Sequence, residues 1–297
     1  MEIRLLVTFE KVASVLSFTQ AAAELTYAQS SVTSQIRSLE SSLGTELFDR
    51  LGNRIRLTEA GERLLPYARR IMELSDEART AVAGAEEPAG TINIGTMESL
   101  TSYRLPELLE LFHHRYPKVK LSLRPTLGDE TRQALRQGVF DIGFLMERET
   151  RHAGLESEVL AVEPLVLVAA PGHPLAGASE LATADLEDTR LVGTEPGCPY
   201  RDLFEGELRA RTGTPPPFME FGTIEATKRG VAGGLGVALL PRMTVREELV
   251  SGALVALSWE PPFRLRTQVA WREGKRLPRH VRLFIDETVR LVREQES

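Results

Sequence analysis

Between Leu5 and Thr58 the spacing of apolar residues changes in a way that leaves few folds open. Leu5, Phe9, Val12 and Leu16 recur at helical spacing, with Leu6 beside them. A second short helix starts near Ser17 to Thr19 and runs through Ala21, Ala22, Ala23 and Leu25, with Thr19 offering an N-cap oxygen. After the break Tyr27-Ala28-Gln29-Ser30, a third helix runs from about Gln29 to Leu43. Val32, Ile36, Leu39 and Leu43 form its apolar face, and Gly44 is a good stop. Then the pattern changes: Leu47, Phe48 and Leu51 precede Gly52-Asn53, and Ile55 and Leu57 follow. Gly-Asn between two such runs signals a hairpin with a two-residue turn. A small hairpin behind a helix-turn-helix is a wing.

From Glu59 to about Glu87 the pattern predicts one long helix. Ala60, Leu64, Ala68, Ile71, Ser75, Ala78 and Val82 form a stripe, and Arg63, Arg69, Arg70, Glu73, Asp76, Glu77 and Arg79 fall mostly off it. Pro66 is expected to kink or end its first turns. A helix this long is expected to bury its stripe against a partner copy, the alternative being packing on its own domain. Gly84 to Gly90 reads as a linker, broken by Pro88 and Gly90.

Beyond the linker, strands and helices alternate: Thr91–Gly95, a helix over about Leu100–Tyr116, Val119–Pro125, a helix over about Asp129–Gln137, and Phe140–Met146. This predicts an α/β fold with largely parallel strands. The continuous runs Pro164–Ala170 and Val237–Pro241 fit buried strands. The triple proline Pro215–Pro217 reads as a rigid loop leading into Phe218–Phe221. At 297 residues the chain suits two domains, and 42% hydrophobic residues supply more than one core.

The order Ser17-Phe18-Thr19, Ala21-Ala22, Leu25, Gln29-Ser30, Val32-Thr33, Ile36, Leu39-Glu40, Leu43-Gly44, Leu47-Phe48, Arg50, Arg54, Leu57-Thr58 and Ala60-Gly61 closely resembles the winged helix-turn-helix of LysR-type transcriptional regulators. Ile92-Asn93-Ile94-Gly95, Leu105-Pro106, Tyr116-Pro117, Asp141-Ile142-Gly143, Pro171-Gly172-His173-Pro174-Leu175 and the run Gly230–Pro241 resemble the family's effector domain. The resemblance implies a two-lobed α/β domain like a periplasmic solute-binding protein. It places the winged helix at 1–58, the linker and dimerisation helix with its hinge at 59–88, the first lobe at 89–163 with 268–297, and the second at 164–267. The crossings fall near Val162–Pro164 and Arg266–Gln268.

A helix-turn-helix sets the start of its second helix in the major groove. That face carries Gln29, Ser30, Ser31, Thr33, Ser34 and Arg37. Gln29, Thr33 and Arg37 suit base edges; Ser34, Arg50 and Arg54 suit phosphates, with Arg54 at the wing tip. Ala28 departs from the family, which has Ser or Thr there to cap the recognition helix. The net charge is -6, and before Glu59 six positive and six negative residues cancel. DNA affinity therefore needs repeated copies of one local patch.

For the second half the resemblance implies an effector held by loops after strands. The contact candidates are Thr96, Ser99, Thr126, Gly197, Cys198, Arg201 and Thr223. An anion suits the helix N-termini there. Arg201 and Lys228 are cations for a carboxylate, or else ordinary ion pairs. Cys198, the single cysteine, has two readings: a residue lining the cleft or core, or a thiol of lowered pKa acting as a redox sensor.

No catalytic or metal constellation stands out. His113, His114, His152, His173 and His280 lack ligand spacing, and Gly233-Gly234-Leu235-Gly236 has poor dinucleotide spacing. The chain is expected to be a cytoplasmic, non-enzymatic regulator without a cofactor. Its expected partners are double-stranded DNA, a small-molecule effector, and copies of itself as a homodimer and homotetramer, with no membrane. The alternatives are a cytoplasmic small-molecule-binding protein and a redox sensor using Cys198.

Overall fold

The computed structural model describes residues 2–51, 54–82, 87–213 and 217–295. The chain divides into two compact units, a head within Met1–Glu87 and a body of Pro88–Arg136 with Phe140–Ser297.

The head begins with α1 (Ile3–Val15), α2 (Phe18–Leu25) and α3 (Gln29–Leu43), then β1 (Phe48–Leu51), β2 (Arg54–Leu57) and α4 (Glu59–Val82). Its core is one cluster in which Leu6, Phe9, Val12, Ala21, Val32, Ile36, Leu39 and Phe48 are buried. The Phe9 and Phe18 rings lie 5.5 and 5.8 Å from Phe48. Both breaks between helices turn through left-handed residues, Leu16 and Thr26. Ser17, not Thr19, caps α2: its side chain accepts a bond from the Gln20 N–H, and Thr19 lies inside the helix. β1 and β2 pair antiparallel, Phe48 opposite Leu57 and Leu51 opposite Arg54. The predicted turn residues Gly52 and Asn53 lie outside the described residues.

Pro66 does not end α4, a helix of 24 residues that runs through it. Ala60, Leu64, Leu65, Ala68, Ile71 and Met72 pack into the head's own core, and this packing holds the helix through the proline. The first half of the stripe expected to meet a partner is therefore used within the head. Thr58 caps α4 through the Gly61 N–H at 3.0 Å. A Cβ at Gly61 would meet the Leu47 carbonyl oxygen at 2.2 Å, so this close approach requires glycine.

The body follows the order β3 (Gly90–Thr96), α5 (Glu98–Tyr103), α6 (Pro106–Arg115), β4 (Val119–Pro125), α7 (Gly128–Arg136), β5 (Ile142–Glu147), β6 (Leu155–Glu163), β7 (Leu165–Ala169), β8 (Leu191–Gly193), α8 (Pro199–Thr212), β9 (Phe218–Glu220), α9 (Ile224–Ala232), β10 (Ala238–Pro241), α10 (Arg246–Ser251), β11 (Val255–Ala256), β12 (Leu265–Arg272) and α11 (Arg279–Gln295). One sheet has the order β4-β3-β5-β12-β6. A second has the order β10-β7-β11, and β8 pairs β9. The single helix expected over Leu100–Tyr116 is two, because Pro106, lacking an N–H, opens a fresh helix at its first turn.

The expectation of largely parallel strands is corrected. β3 runs parallel to β4 and β5, but β12 is antiparallel to both β5 and β6, and β7 is antiparallel to β10 and β11. β7 and β10 are the two continuous apolar runs, and both are almost wholly buried. Burial on both faces erases alternation in either strand direction, so the sequence pattern does not report it. β6 passes directly into β7 at Pro164, and β12 returns to the first sheet at Leu265, with a register shift between Thr267 and Gln268. These two crossing strands join the sheets. Of the triple proline, Pro215 and Pro216 lie outside the described residues.

Candidate nucleic-acid interface and effector cleft

α3 is an amphipathic helix of 15 residues that buries Val32, Ile36 and Leu39. Its opposite face carries Gln29, Ser30, Ser31, Ser34 and Arg37, all exposed, with Thr33 half-buried. Gln29, Ser30, Thr33, Ser34 and Arg37 line one shallow, open depression. The helix is held in place from behind: the Thr8 hydroxyl on α1 donates to Gln35 Oε1 at 2.6 Å, and the Glu40 carboxylate accepts the Leu47 N–H at 2.9 Å. Ala28 occupies the N-cap position and provides no side-chain cap; the helix starts at Gln29, with Ala28's carbonyl accepting from Ser31 and Val32.

The head's near-neutral charge resolves into pairs. Lys11 meets Glu24 at 3.1 Å, Arg56 meets Asp49 at 3.1 Å, Arg4 meets Glu2 at 3.6 Å and Arg69 meets Glu10 at 3.3 Å. The Glu24 carboxyl is held below its usual range by its bonds from Lys11 and Gln20. Among the described residues, no carboxylate pairs with Arg37. Arg50 stands opposite Ile55 and Arg54 opposite Leu51 on the wing, and their side chains lie outside the described residues.

In the body, Thr96 ends β3 and Ser99 is in the first turn of α5, and both are buried. The Thr126 N–H bonds the Thr96 carbonyl at 2.9 Å, and the Thr126 hydroxyl lies 2.8 Å from that of Thr131. Ser99 Oγ is fully buried and has no hydrogen-bond partner among the described residues. From the second sheet's side, Gly197 stands with φ +90°; a Cβ there would come within 3.1 Å of Leu127, next to Thr126. Thr223 caps α9 by accepting the Ala226 N–H at 3.2 Å.

Both cations considered for a carboxylate ligand already have one. Arg201 is buried, bonds Glu220 at 2.7 Å and the Thr194 carbonyl, and lies 4.9 Å from the Phe218 ring centroid. Lys228 meets Glu225 at 2.5 Å and Glu248 at 2.8 Å. Burial disfavours its charge, but the bonds from Glu225, Glu248 and Tyr103 outweigh that and raise its pKa. The thiol of Cys198 is 2% exposed, and burial pushes it up to about 11 despite its place at the start of α8. A neutral, enclosed thiol is the opposite of the low-pKa thiol a redox sensor needs, so that reading is set aside. Among the described residues no group of His, Cys, Asp and Glu is placed to hold a metal ion, and no helix is long and apolar enough to cross a membrane.

Residues 3–62 match the family model described as bacterial regulatory helix-turn-helix protein, lysR family. Residues 85–293 match the LysR substrate binding domain. The chain belongs to the LysR family. It is a DNA-binding transcriptional regulator with an N-terminal winged helix-turn-helix and an effector-binding α/β domain. It is 40% identical over 289 residues to the uncharacterized HTH-type transcriptional regulator YwqM of Bacillus subtilis (strain 168), covering 97% of this chain and 98% of that one. Its fold is like that of a full-length OxyR variant from Pseudomonas aeruginosa, with TM-score 0.79, 23% identity and coverage of 97% and 94% of the two chains. It also resembles full-length CbnR complexed with its target DNA, with TM-score 0.64, 25% identity and coverage of 98% and 100%.

Sequence reasoning assigned no role to Glu98, Tyr103, Glu163 and Glu248, which bond to other elements of the body. Arg104 bonds Glu163 at 2.7 Å, and the Thr267 hydroxyl donates to the same carboxylate at 2.7 Å. These contacts join residues 59 and 104 positions apart in the chain. The one local signal was an acid, Glu98, in the first turn of a helix that follows a strand.

Proposed function

We propose that this LysR-family regulator reads DNA with the exposed face of α3. Gln29, Thr33 and Arg37 meet base edges, Ser30 and Ser31 lie at the groove wall, and Ser34, Arg50 and Arg54 hold phosphates, Arg54 from the wing. The observation that carries this is the unpaired Arg37 on a face of small polar groups, in a head whose other described charges are largely paired. Arg suits guanine, Gln suits adenine, and Ser or Thr accept several edges. One such face on a near-neutral head supplies modest affinity, so repeated half-sites bound by a homodimer, and by pairs of dimers as a homotetramer, fit the charge. Tyr67 and Leu74, 66% and 64% exposed and two turns apart on α4, are the apolar residues we assign to the dimer contact. Retardation of the chain's own upstream DNA by the full-length protein, lost in Arg37→Ala, tests this reading.

We further propose that a small-molecule effector enters between the two lobes of the body and meets Thr96, Ser99, Thr126, Gly197, Cys198 and Thr223. The orphaned Ser99 hydroxyl supports it, since buried polar groups are otherwise bonded. The engagement of Arg201 and Lys228 argues for recognition by hydroxyls and backbone N–H groups rather than by a free cation. The lobes we assign are 89–163 with 268–297, and 164–267. We assign the regulator to the cytoplasm and read it as non-enzymatic, in keeping with a relative named as an HTH-type transcriptional regulator. A thermal-shift screen of metabolites tests the cleft: a ligand that stabilises the wild type and not Ser99→Ala supports the assignment. A ligand that stabilises both equally refutes it.

A further inference from the structure

We infer that α5 is a strap between the two lobes, fastened to the second lobe by Glu98 and Tyr103 and anchored at the crossing strands by Arg104. This rests on the two-lobed reading above and adds a mechanical element to it. α5 leaves β3 in the first sheet and is only six residues long, yet its ends hold three separate contacts. At its start, the Glu98 carboxylate accepts the Ile224 N–H at 3.1 Å. Ile224 is the first residue of α9, a helix packed beside β7, β8 and β10 of the second lobe. Its N–H is one of the donors a helix leaves without an internal partner. Thr223 satisfies the donor at Ala226 from within the second lobe, and Glu98 satisfies the one at Ile224 from the first.

At the end of α5, the Tyr103 hydroxyl donates to Glu225 Oε1 at 2.5 Å and accepts from Lys228 Nζ at 3.2 Å, with Lys228 5.3 Å from the ring centroid. Lys228 is in turn held by Glu248 on α10. The groups facing Tyr103 are thus Glu225 and Lys228 from α9, backed by Glu248. Arg104, the C-cap residue, turns the other way and bonds Glu163 at the end of β6, which also takes the Thr267 hydroxyl of β12. One short helix is therefore tied at one side to the second lobe and at the other to both strands that cross between lobes. A rotation of the lobes about those strands pulls directly on the Glu98 and Tyr103 bonds. Ser99, a proposed effector contact, follows Glu98 on α5, and Thr96, another, ends β3 two residues before Glu98, so a ligand there acts on the strap.

Amide hydrogen exchange on the full-length protein, followed in peptides covering residues 221–228, tests the strap without any effector. Glu98→Ala is expected to speed exchange there at least about threefold, Glu98→Gln by less because it keeps an acceptor oxygen, and Tyr103→Phe by less again. Glu110→Ala, an exposed carboxylate on α6, is expected to leave it unchanged. Should Glu98→Ala fail to fold, Glu98→Gln carries the test. Exchange in the folded Glu98 variant equal to that of the wild type overturns the strap. A metabolite screen that finds no cleft ligand would overturn the effector reading while leaving the strap standing, so the two fail separately.

Discussion

The recognition face of α3 and the polar lining of the body differ in what their residues already do. On that face of α3 the polar side chains are exposed, Thr33 being half-buried, and among the described residues the single cation has no internal carboxylate. In the body, Arg104, Arg201 and Lys228 are each closed on carboxylates of the same chain. The contrast fits the two tasks. A surface that must meet DNA phosphates and base edges needs groups whose valences are open. A domain that must hold two lobes in a defined relation needs its charges satisfied internally, because an unpaired buried charge is costly.

Substitutions can break this contrast or sharpen it. Glu163→Ala removes the shared acceptor of Arg104 and Thr267 at a site 2% exposed, and breaking such a buried pair costs about 3–5 kcal/mol. Calorimetry should show a large drop in the melting temperature; a drop below a few degrees would mean that the pair is not structural. Arg37→Ala should do the reverse, leaving thermal stability within about 0.5 kcal/mol while costing about 1–3 kcal/mol of DNA affinity, roughly 5- to 150-fold in a gel shift. Ala28→Ser is a smaller change. Ala28 already has extended backbone angles, as Ser17 does where it caps α2, so a serine oxygen is positioned to take an amide of the first turn. That should add about 1 kcal/mol to the head, seen as a rise of several degrees; no rise would mean that the start of α3 is held by other means. The smallest expected effect is at Cys198. With its thiol at about 11, alkylation of the native protein at pH 8 should be near zero and become rapid on denaturation. Rapid labelling of the native protein would reverse the buried-thiol assignment.

The head was more legible in the sequence than the body, and the reason is the range of its interactions. Val32, Ile36 and Leu39 report their own burial through spacing, and Gly44 ends α3 by its left-handed backbone at φ +68°. Errors in the head came from nearby competition, where Ser17 caps α2 in place of Thr19 and packing by Leu64, Leu65 and Ala68 carries α4 past Pro66. In the body the alternation of strands and helices was readable, but strand direction was not, because β7 and β10 are buried on both faces. The pairing of Arg201 with Glu220 and of Lys228 with Glu248 depends on elements that sequence spacing does not bring together. Glu98 lies between the singled-out Thr96 and Ser99, yet its partner, the Ile224 N–H, lies 126 positions away.

The most direct test of the central claim is the salt dependence of DNA binding by the full-length protein on its own upstream region, measured beside Arg37→Ala. Phosphate-led docking of α3 predicts a steep linear fall of log affinity with log salt for the wild type, and weaker binding with a comparable slope for the variant if Arg37 meets a base. No retarded fragment, or an affinity that is flat with salt and indifferent to Arg37, would contradict it.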